Sequence, residues 1–248
     1  MKENPYDNPV FFEKYSRMDR SQRGLEAAGE WDTLEAMLPD FSGKRVLDLG
    51  CGYGWHCRYA LEQGAAAVTG IDISEKMLAE AKKRSAGLPI AYSRCAIEDA
   101  AFPPGSFDIV LSSLSLHYVA DYAGTVEKVR EWLSPGGVFI FSAEHPLFTA
   151  EGSQDWYYDE GGHILHFPVD RYFYEGEREA CFLGETVKKQ HRTLTTYLRT
   201  LLEAGFRITG FAEPMPPRRL LDTAPGMADE LRRPMMCIIR AEKPGKAD

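Results

Sequence analysis

The run Val46-Leu47-Asp48-Leu49-Gly50-Cys51-Gly52-Tyr53-Gly54, followed by Asp72 in Thr69-Gly70-Ile71-Asp72-Ile73, constrains this chain more than any other feature. Val46, Leu47 and Leu49 suit a parallel strand buried on both faces, and glycines at every second position let the backbone reverse sharply after it. With no Cβ in the way, such a turn can approach a ligand closely. An acid about 20 residues further on falls where the next strand ends, placed to accept hydrogen bonds from both hydroxyls of a ribose. The pattern reads as a nucleoside-binding α/β domain.

The glycine spacing narrows the nucleoside. A dinucleotide fingerprint needs G-x-G-x-x-G, whose last glycine lets a helix pack closely on the strand. Here the glycines run G-x-G-x-G, and Trp55 occupies the position of that third glycine. The stretch resembles motif I of class I S-adenosylmethionine-dependent methyltransferases, with Asp48, Gly50, Gly52 and Gly54 matching it position for position. Three further segments resemble the same family in the expected order. Phe102 to Leu111 looks like its fourth strand, Ser112-Ser113-Leu114-Ser115-Leu116-His117-Tyr118 like the following loop, and Arg130 to Phe141 like its helix, proline-glycine-glycine turn and fifth strand. The resemblance covers roughly residues 40 to 145 and points to the methyltransferase type 11 group.

That resemblance implies S-adenosylmethionine as cofactor and assigns its contacts. Asp48, Gly50, Cys51 and Gly52 belong near the methionine half and Asp72 on the ribose. Ile73 and Ile97 serve as apolar plates for the adenine, with Met77 and Ser113 completing the lining. Many relatives carry an acid after the third strand that meets the adenine amino group, but the aligned position here is Ala96, within Cys95-Ala96-Ile97-Glu98-Asp99. Glu98 or Asp99 can serve with a short shift, or backbone groups at Ala96 and Ile97 can read the base edge.

Strands are expected near 44–49, 67–72, 89–94, 107–112, 137–143, 206–212 and 235–242, with helices filling most gaps. This alternation predicts a Rossmann-like α/β fold, a seven-stranded mainly parallel sheet with helices on both faces. Ser74 before Glu75, Met77, Leu78 and Ala81 reads as an N-capped helix, and Thr193 to Ala204 as another, stopped by Gly205. One methyltransferase domain is expected over 1–248. Within it, 1–40 form an N-terminal helical lid, 41–145 the cofactor core, 146–192 an antiparallel flap inserted after the fifth strand, and 193–248 the rest of the core. The tail from Lys243 to Asp248 is expected to fray.

Composition excludes several classes. A net charge of −8 gives no global attraction for phosphate backbones, which makes a nucleic-acid partner unlikely. No apolar run reaches the roughly 18 residues of a membrane span, and the first residues lack the apolar stretch of a signal peptide, so a cytoplasmic setting is expected. Cys51, Cys57, Cys95, Cys181 and Cys237 form no C-x-x-C pair and read as reduced. His163 and His166 point to opposite faces of a strand, so no metal site is expected.

Substrate chemistry is assigned to the regions outside the core. Phe11, Phe12, Tyr15 and Met18 have helical spacing, and Arg20 follows, so a lid helix can bring Tyr15 and Arg20 to the cofactor's carboxylate. Residues 151–182 hold 8 aromatics in 32 positions, against 12% for the whole chain, which suggests a flap with an aromatic wall. Trp156, Tyr172, Tyr174 and Arg192 are its candidate acceptor contacts. A hydroxyl or amine acceptor profits from a base near pKa 7, for which His145, then His117 and His191, are candidates. A carboxylate acceptor needs only an anion holder, for which Arg171, Arg178 or Arg192 qualify. A small-molecule acceptor is expected. An RNA or protein methyltransferase, or a non-catalytic S-adenosylmethionine-binding partner, are the alternatives.

Overall fold

The computed structural model describes residues 4–245. The first elements form a helical arm, α1 (Pro9–Ser16), α2 (Asp19–Arg23) and α3 (Trp31–Met37). Then β1 (Arg45–Leu49), α4 (Trp55–Glu62), β2 (Ala67–Asp72), α5 (Glu75–Arg84), β3 (Ile90–Arg94), β4 (Phe107–Ser113), α6 (Tyr122–Trp132) and β5 (Leu133–Glu144) alternate as expected. A short helix α7 (Pro146–Thr149) leads into four insertion strands, β6 (Tyr157–Tyr158), β7 (Ile164–His166), β8 (Gly176–Phe182) and β9 (Glu185–His191). The chain closes through α8 (Leu194–Glu203), β10 (Arg207–Ala212), α9 (Arg218–Leu221) and β11 (Met236–Glu242).

The main sheet runs β10-β11-β5-β4-β1-β2-β3. β11 is antiparallel to both of its neighbours, and the other pairings are parallel. Its central strands alternate between two cores. Leu47, Leu49, Val110, Phe139 and Phe141 pack beneath α6 and α8 with Trp132, Tyr197 and Leu201. On the other face Val46, Val68 and Ile109 meet Cys57 and Ala60 of α4 and Leu78 of α5, while Ile140 and Ile238 meet Trp31 and Leu34 of α3. Each large side chain so buried contributes about 1.5–3 kcal/mol. Order reverses between β1 and β4, where open parallel sheets form a crevice at their carboxyl edge.

Helix starts follow the capping residues. Ser74 Oγ accepts from Met77 N, Thr193 from Thr196 N and Asn8 from Val10 N, each satisfying a first-turn N–H that the helix itself leaves open. The insertion is antiparallel as expected and consists of two separate hairpins, β6–β7 and β8–β9. Two expectations need correction. The N-terminal segment breaks at Arg17-Met18 instead of running as one helix. Lys243 is not frayed, because its Nζ donates to the carbonyls of Arg130 and Leu133; the expected fraying of residues 246–248 lies outside the described residues.

Arm and insertion pack on one another. Phe11 is buried against Ala180 and Val187, and Lys14 Nζ donates to Leu183 O at 2.9 Å and to Glu185 at 3.1 Å. Backbone and side chains also approach closely at Gly70, where an added Cβ would stand 2.8 Å from Cys57 Sγ, 2.9 Å from Cys51 Sγ and 3.0 Å from Tyr92. Gly70→Ala should therefore lower unfolding free energy by about 1–3 kcal/mol, read by chemical denaturation, through overpacking alone.

Candidate active site

A cavity of about 400 Å³ opens at the β1–β4 crevice and runs beneath the arm and the insertion. At one end the glycine turn forms its floor. Gly50 and Gly52 adopt φ of +73° and +52°, and Gly50 and Cys51 both donate to Ile71 O at 2.9 Å. A Cβ on Gly50 would lie 2.5 Å from Ser115 Cβ, so the turn needs glycine for space as well as for its left-handed backbone. Asp72 ties this turn to the end of β2. Its Oδ2 accepts from Gly52 N at 2.9 Å and its Oδ1 from Ser74 N at 2.8 Å, leaving one further lone pair on each oxygen. Burial pushes its carboxyl up to about 6, against the pull of those two amides.

Ile73, Met77, Ala96, Ile97 and Glu98 line the wall beyond Asp72, and Glu98 also accepts from Ala120 N at 3.2 Å. The arm supplies the roof through Tyr6, Tyr15, Met18 and Arg20. Arg20 is oriented by Glu30, whose Oε1 lies 3.1 Å from its Nη2 and whose side chain is 2% exposed. Asp7 latches the arm down by accepting from Ser74 Oγ at 2.6 Å and Lys76 N at 3.1 Å.

The opposite end is polar and enclosed. Lys189 Nζ reaches Glu144 Oε1 at 2.6 Å and Gln154 Oε1 at 2.7 Å, while Gln154 Nε2 donates to Glu144 Oε2 at 2.6 Å. His117 stands beside this ring, its Nδ1 accepting the Glu144 backbone N–H at 3.4 Å and its Nε2 4.0 Å from Glu144 Oε1. Burial lowers the imidazole to about 4, so it is neutral at pH 7. Burial also pushes Glu144 upward, but His117 and Lys189 outweigh it and hold the carboxyl below its ordinary value. Phe148, Phe182 and Tyr118 wall this end. Leu114, at φ +51°, occupies a left-handed conformation unusual for its side chain, in the loop that Ser112 and Ser115 pin to Leu49 O.

The comparisons agree with this geometry. A methyltransferase domain family model matches residues 47–141. A solved structure from Listeria monocytogenes, assigned to the S-adenosylmethionine-dependent methyltransferases, is 56% identical and superposes with a TM-score of 0.84 over 89% of this chain and 99% of that one. An S-adenosylmethionine-dependent methyltransferase from Mesorhizobium loti is 44% identical, with a TM-score of 0.81 over 88% and 100% of the two chains. This chain belongs to the class I S-adenosylmethionine-dependent methyltransferases. A ubiquinone biosynthesis O-methyltransferase from Neisseria meningitidis is 32% identical over 173 residues, 58% of this chain and 72% of that protein.

The methyltransferase's residues fit its cofactor. The missing Cβ at Gly50 leaves room at the turn, the two free lone pairs of Asp72 suit a diol, and Arg20 offers a cation beneath the arm. Of the residues expected around the cofactor, Tyr15, Arg20, Gly50, Gly52, Asp72, Ile73, Met77, Ala96, Ile97, Glu98 and Ser113 line the cavity. Asp48 and Cys51 do not. Asp48 is 1% exposed behind the turn, where Cys57 Sγ donates to it at 3.3 Å and burial raises it to about 7. Cys51 turns its thiol toward Gly70.

The acceptor-side expectations are mostly displaced. Of the three histidines only His117 lines the cavity. His145 is 1% exposed, caps α7 through Leu147 N and meets Glu213 at 2.9 Å, because strand alternation sends its neighbour Glu144 inward instead. His191 is fixed between Thr149 Oγ1 at 2.7 Å and Tyr172 O at 2.8 Å. Arg192 spends its guanidinium on the carbonyls of Leu116, Val119 and Ala120. Arg178 binds Ala150 O, and Arg171 stands outside the cavity in a left-handed turn. Tyr172 Oη accepts from Leu194 N, Tyr174 is 71% exposed, and Trp156 lines a separate chamber. Sequence reasoning passed over Glu144, Gln154 and Lys189. A usable signal exists for Lys189, which shares the period-2 inward face of β9 with Val187 and His191.

Two outcomes follow for the cofactor end. Asp72→Ala should weaken S-adenosylhomocysteine binding about ten- to a hundredfold by calorimetry, an energy of roughly 1.5–3 kcal/mol for a lost two-point hydrogen bond. Since the ligand's hydroxyls donate to the ionised form, wild-type affinity should fall as pH drops through the Asp72 value of about 6 and level off above it. In Asp72→Asn that pH limb should vanish.

Proposed function

We propose that this methyltransferase transfers its methyl group to an oxygen or nitrogen of a small-molecule acceptor by in-line displacement. One observation carries the reading. A single cavity joins the glycine turn and Asp72 to the enclosed cluster of His117, Glu144, Gln154 and Lys189. A chamber roofed by Tyr6, Tyr15 and Met18 suits a molecule that is swallowed whole, and a non-catalytic binding protein has no need of its polar far end. Against an RNA acceptor stands the charge balance of the cavity lining, Arg20 and Lys189 against Asp72, Glu98 and Glu144. The Neisseria relative carries the name of a ubiquinone biosynthesis O-methyltransferase, which supports a small acceptor.

The bound cofactor supplies an electrophilic methyl group on a sulfonium, so the protein's contribution is orientation and exclusion of water. The arm's aromatic side chains shield the site. His117, neutral and with Nδ1 engaged by an N–H, presents its Nε2–H as a donor toward the acceptor's heteroatom. Glu144, kept anionic by Lys189, is an acceptor for the proton that an O–H or N–H nucleophile releases.

Incubation with S-adenosylmethionine and a fractionated pool of small metabolites should give S-adenosylhomocysteine together with a methylated small molecule by mass spectrometry. For that acceptor, Glu144→Gln should lower kcat at least about tenfold while S-adenosylhomocysteine affinity stays within about threefold, roughly 0.65 kcal/mol. Methyl incorporation confined to protein or RNA fractions would replace this reading with a macromolecular one.

A further inference from the structure

A second cavity, of about 410 Å³, lies against the first and is used by nothing described so far. Met235 and Met236 line both, so the two chambers adjoin at these two methionines. Those side chains sit at the reacting end. Met236 is in register with Glu144 across the β11–β5 pair, and Met235 O accepts the backbone N–H of His145 at 2.8 Å. Methionine is unbranched and flexible, which suits a partition that yields to a ligand.

The lining of the second chamber is one-sided in charge. Its body is apolar, with Ile164, Met227 and three prolines, Pro214, Pro216 and Pro225. Its charged lining residues are Glu30, Asp229 and Glu230, with no Lys, Arg or His among them. Each carboxylate is held by an arginine that is not itself among the lining residues, and Arg232 and Arg233 lie over the ring of Trp156, which is. Arg20 lies 3.1 Å from Glu30, Arg232 3.2 Å from Asp229 and Arg233 2.6 Å from Glu230. Glu30 is 2% exposed and keeps an oxygen, Oε2, without a hydrogen-bond partner. Carboxylates only accept, so the chamber is matched to a group that donates. Leaving such an oxygen buried and unmet is costly, and a ligand's N–H relieves it.

We propose that this chamber is a distal acceptor subsite for an apolar molecule bearing an ammonium group, with Met235 and Met236 as the gate between it and the reaction cavity. The inference rests on the small-acceptor reading above and deepens it. The acceptor is then elongated, its nucleophile beside Glu144 and its cationic end beyond the methionines.

Methionine methyl resonances separate the two chambers. Met18 and Met77 line only the first, Met227 only the second, Met235 and Met236 both, and Met37 packs near Gly210, away from both chambers, as a control. In full-length protein labelled at methionine methyls, S-adenosylhomocysteine should move Met18 and Met77. With that ligand saturating, tryptamine should then move Met227, Met235 and Met236 in a saturable way. Indole-3-acetate, the same ring with an anionic arm, should bind at least about tenfold more weakly, roughly 1.4 kcal/mol. Asp229→Asn should weaken tryptamine at least about threefold, roughly 0.65 kcal/mol. Ile164→Trp, which fills the chamber from β7, should abolish the Met227 shift with Met18, Met37 and Met77 unchanged. A Met227 resonance unmoved by tryptamine, or moved equally by indole-3-acetate, would overturn the proposal. Failure of Met18 and Met77 to respond to S-adenosylhomocysteine would instead strike the cofactor cavity itself.

Discussion

Two backbone amides, from Gly52 and Ser74, converge on the carboxylate of Asp72, and the geometry of the cofactor end depends on that junction. It ties the turn after β1 to the start of α5 through a side chain at the end of β2. Neither segment can shift without leaving a buried donor or acceptor unmet, at a cost of about 1–3 kcal/mol. The same carboxylate lines the cavity and keeps one further lone pair on each oxygen. Burial reinforces the junction by removing water as a competitor.

At the other end the corresponding constraint is the pair between Glu144 of the core and Lys189 of the insertion. Charges buried to this degree lose hydration worth several kcal/mol each, and their mutual attraction returns that only with good geometry and full hydrogen bonding. Gln154 completes the bonding by serving both partners at once. Such a network gives little net stability over an apolar pair. Its effect is to fix where the insertion sits over the carboxyl edge of β5, and so the shape of the acceptor end.

The sheet was legible from sequence because its signals are local. Alternating apolar residues, glycine turns at Gly50, Gly52 and Gly54, and caps at Ser74 and Thr193 act within a few residues, and the strands fall within one or two residues of the spans they predict, apart from β5. That strand begins at Leu133, ahead of the Pro135-Gly136-Gly137 turn, because Leu133 pairs with Phe107 before the register shifts to Ile109 and Val138. The residues expected around the cofactor line the cavity for the same reason, except that Asp48 and Cys51 face the core beneath the turn.

The acceptor end was not legible, since it is made by contacts between distant segments. Aromatic enrichment in 151–182 signalled an insertion but not its inward face. Only Phe182 among those eight rings reaches the first cavity, and Phe173 is 87% exposed. What sets the inward face of β8 and β9 is the small Ala180 and Val187, which let Phe11 of the arm dock. That docking brings β9 down with Lys189 on the same face, two residues after Val187. A strand reverses its side chains at each step, so the one-residue difference between His145 and Glu144 decides which group enters the cavity. The pairing of β5 with β11 fixes that parity. The identity of the group facing the cavity at this end is therefore a property of sheet register, which no motif around residue 145 contains.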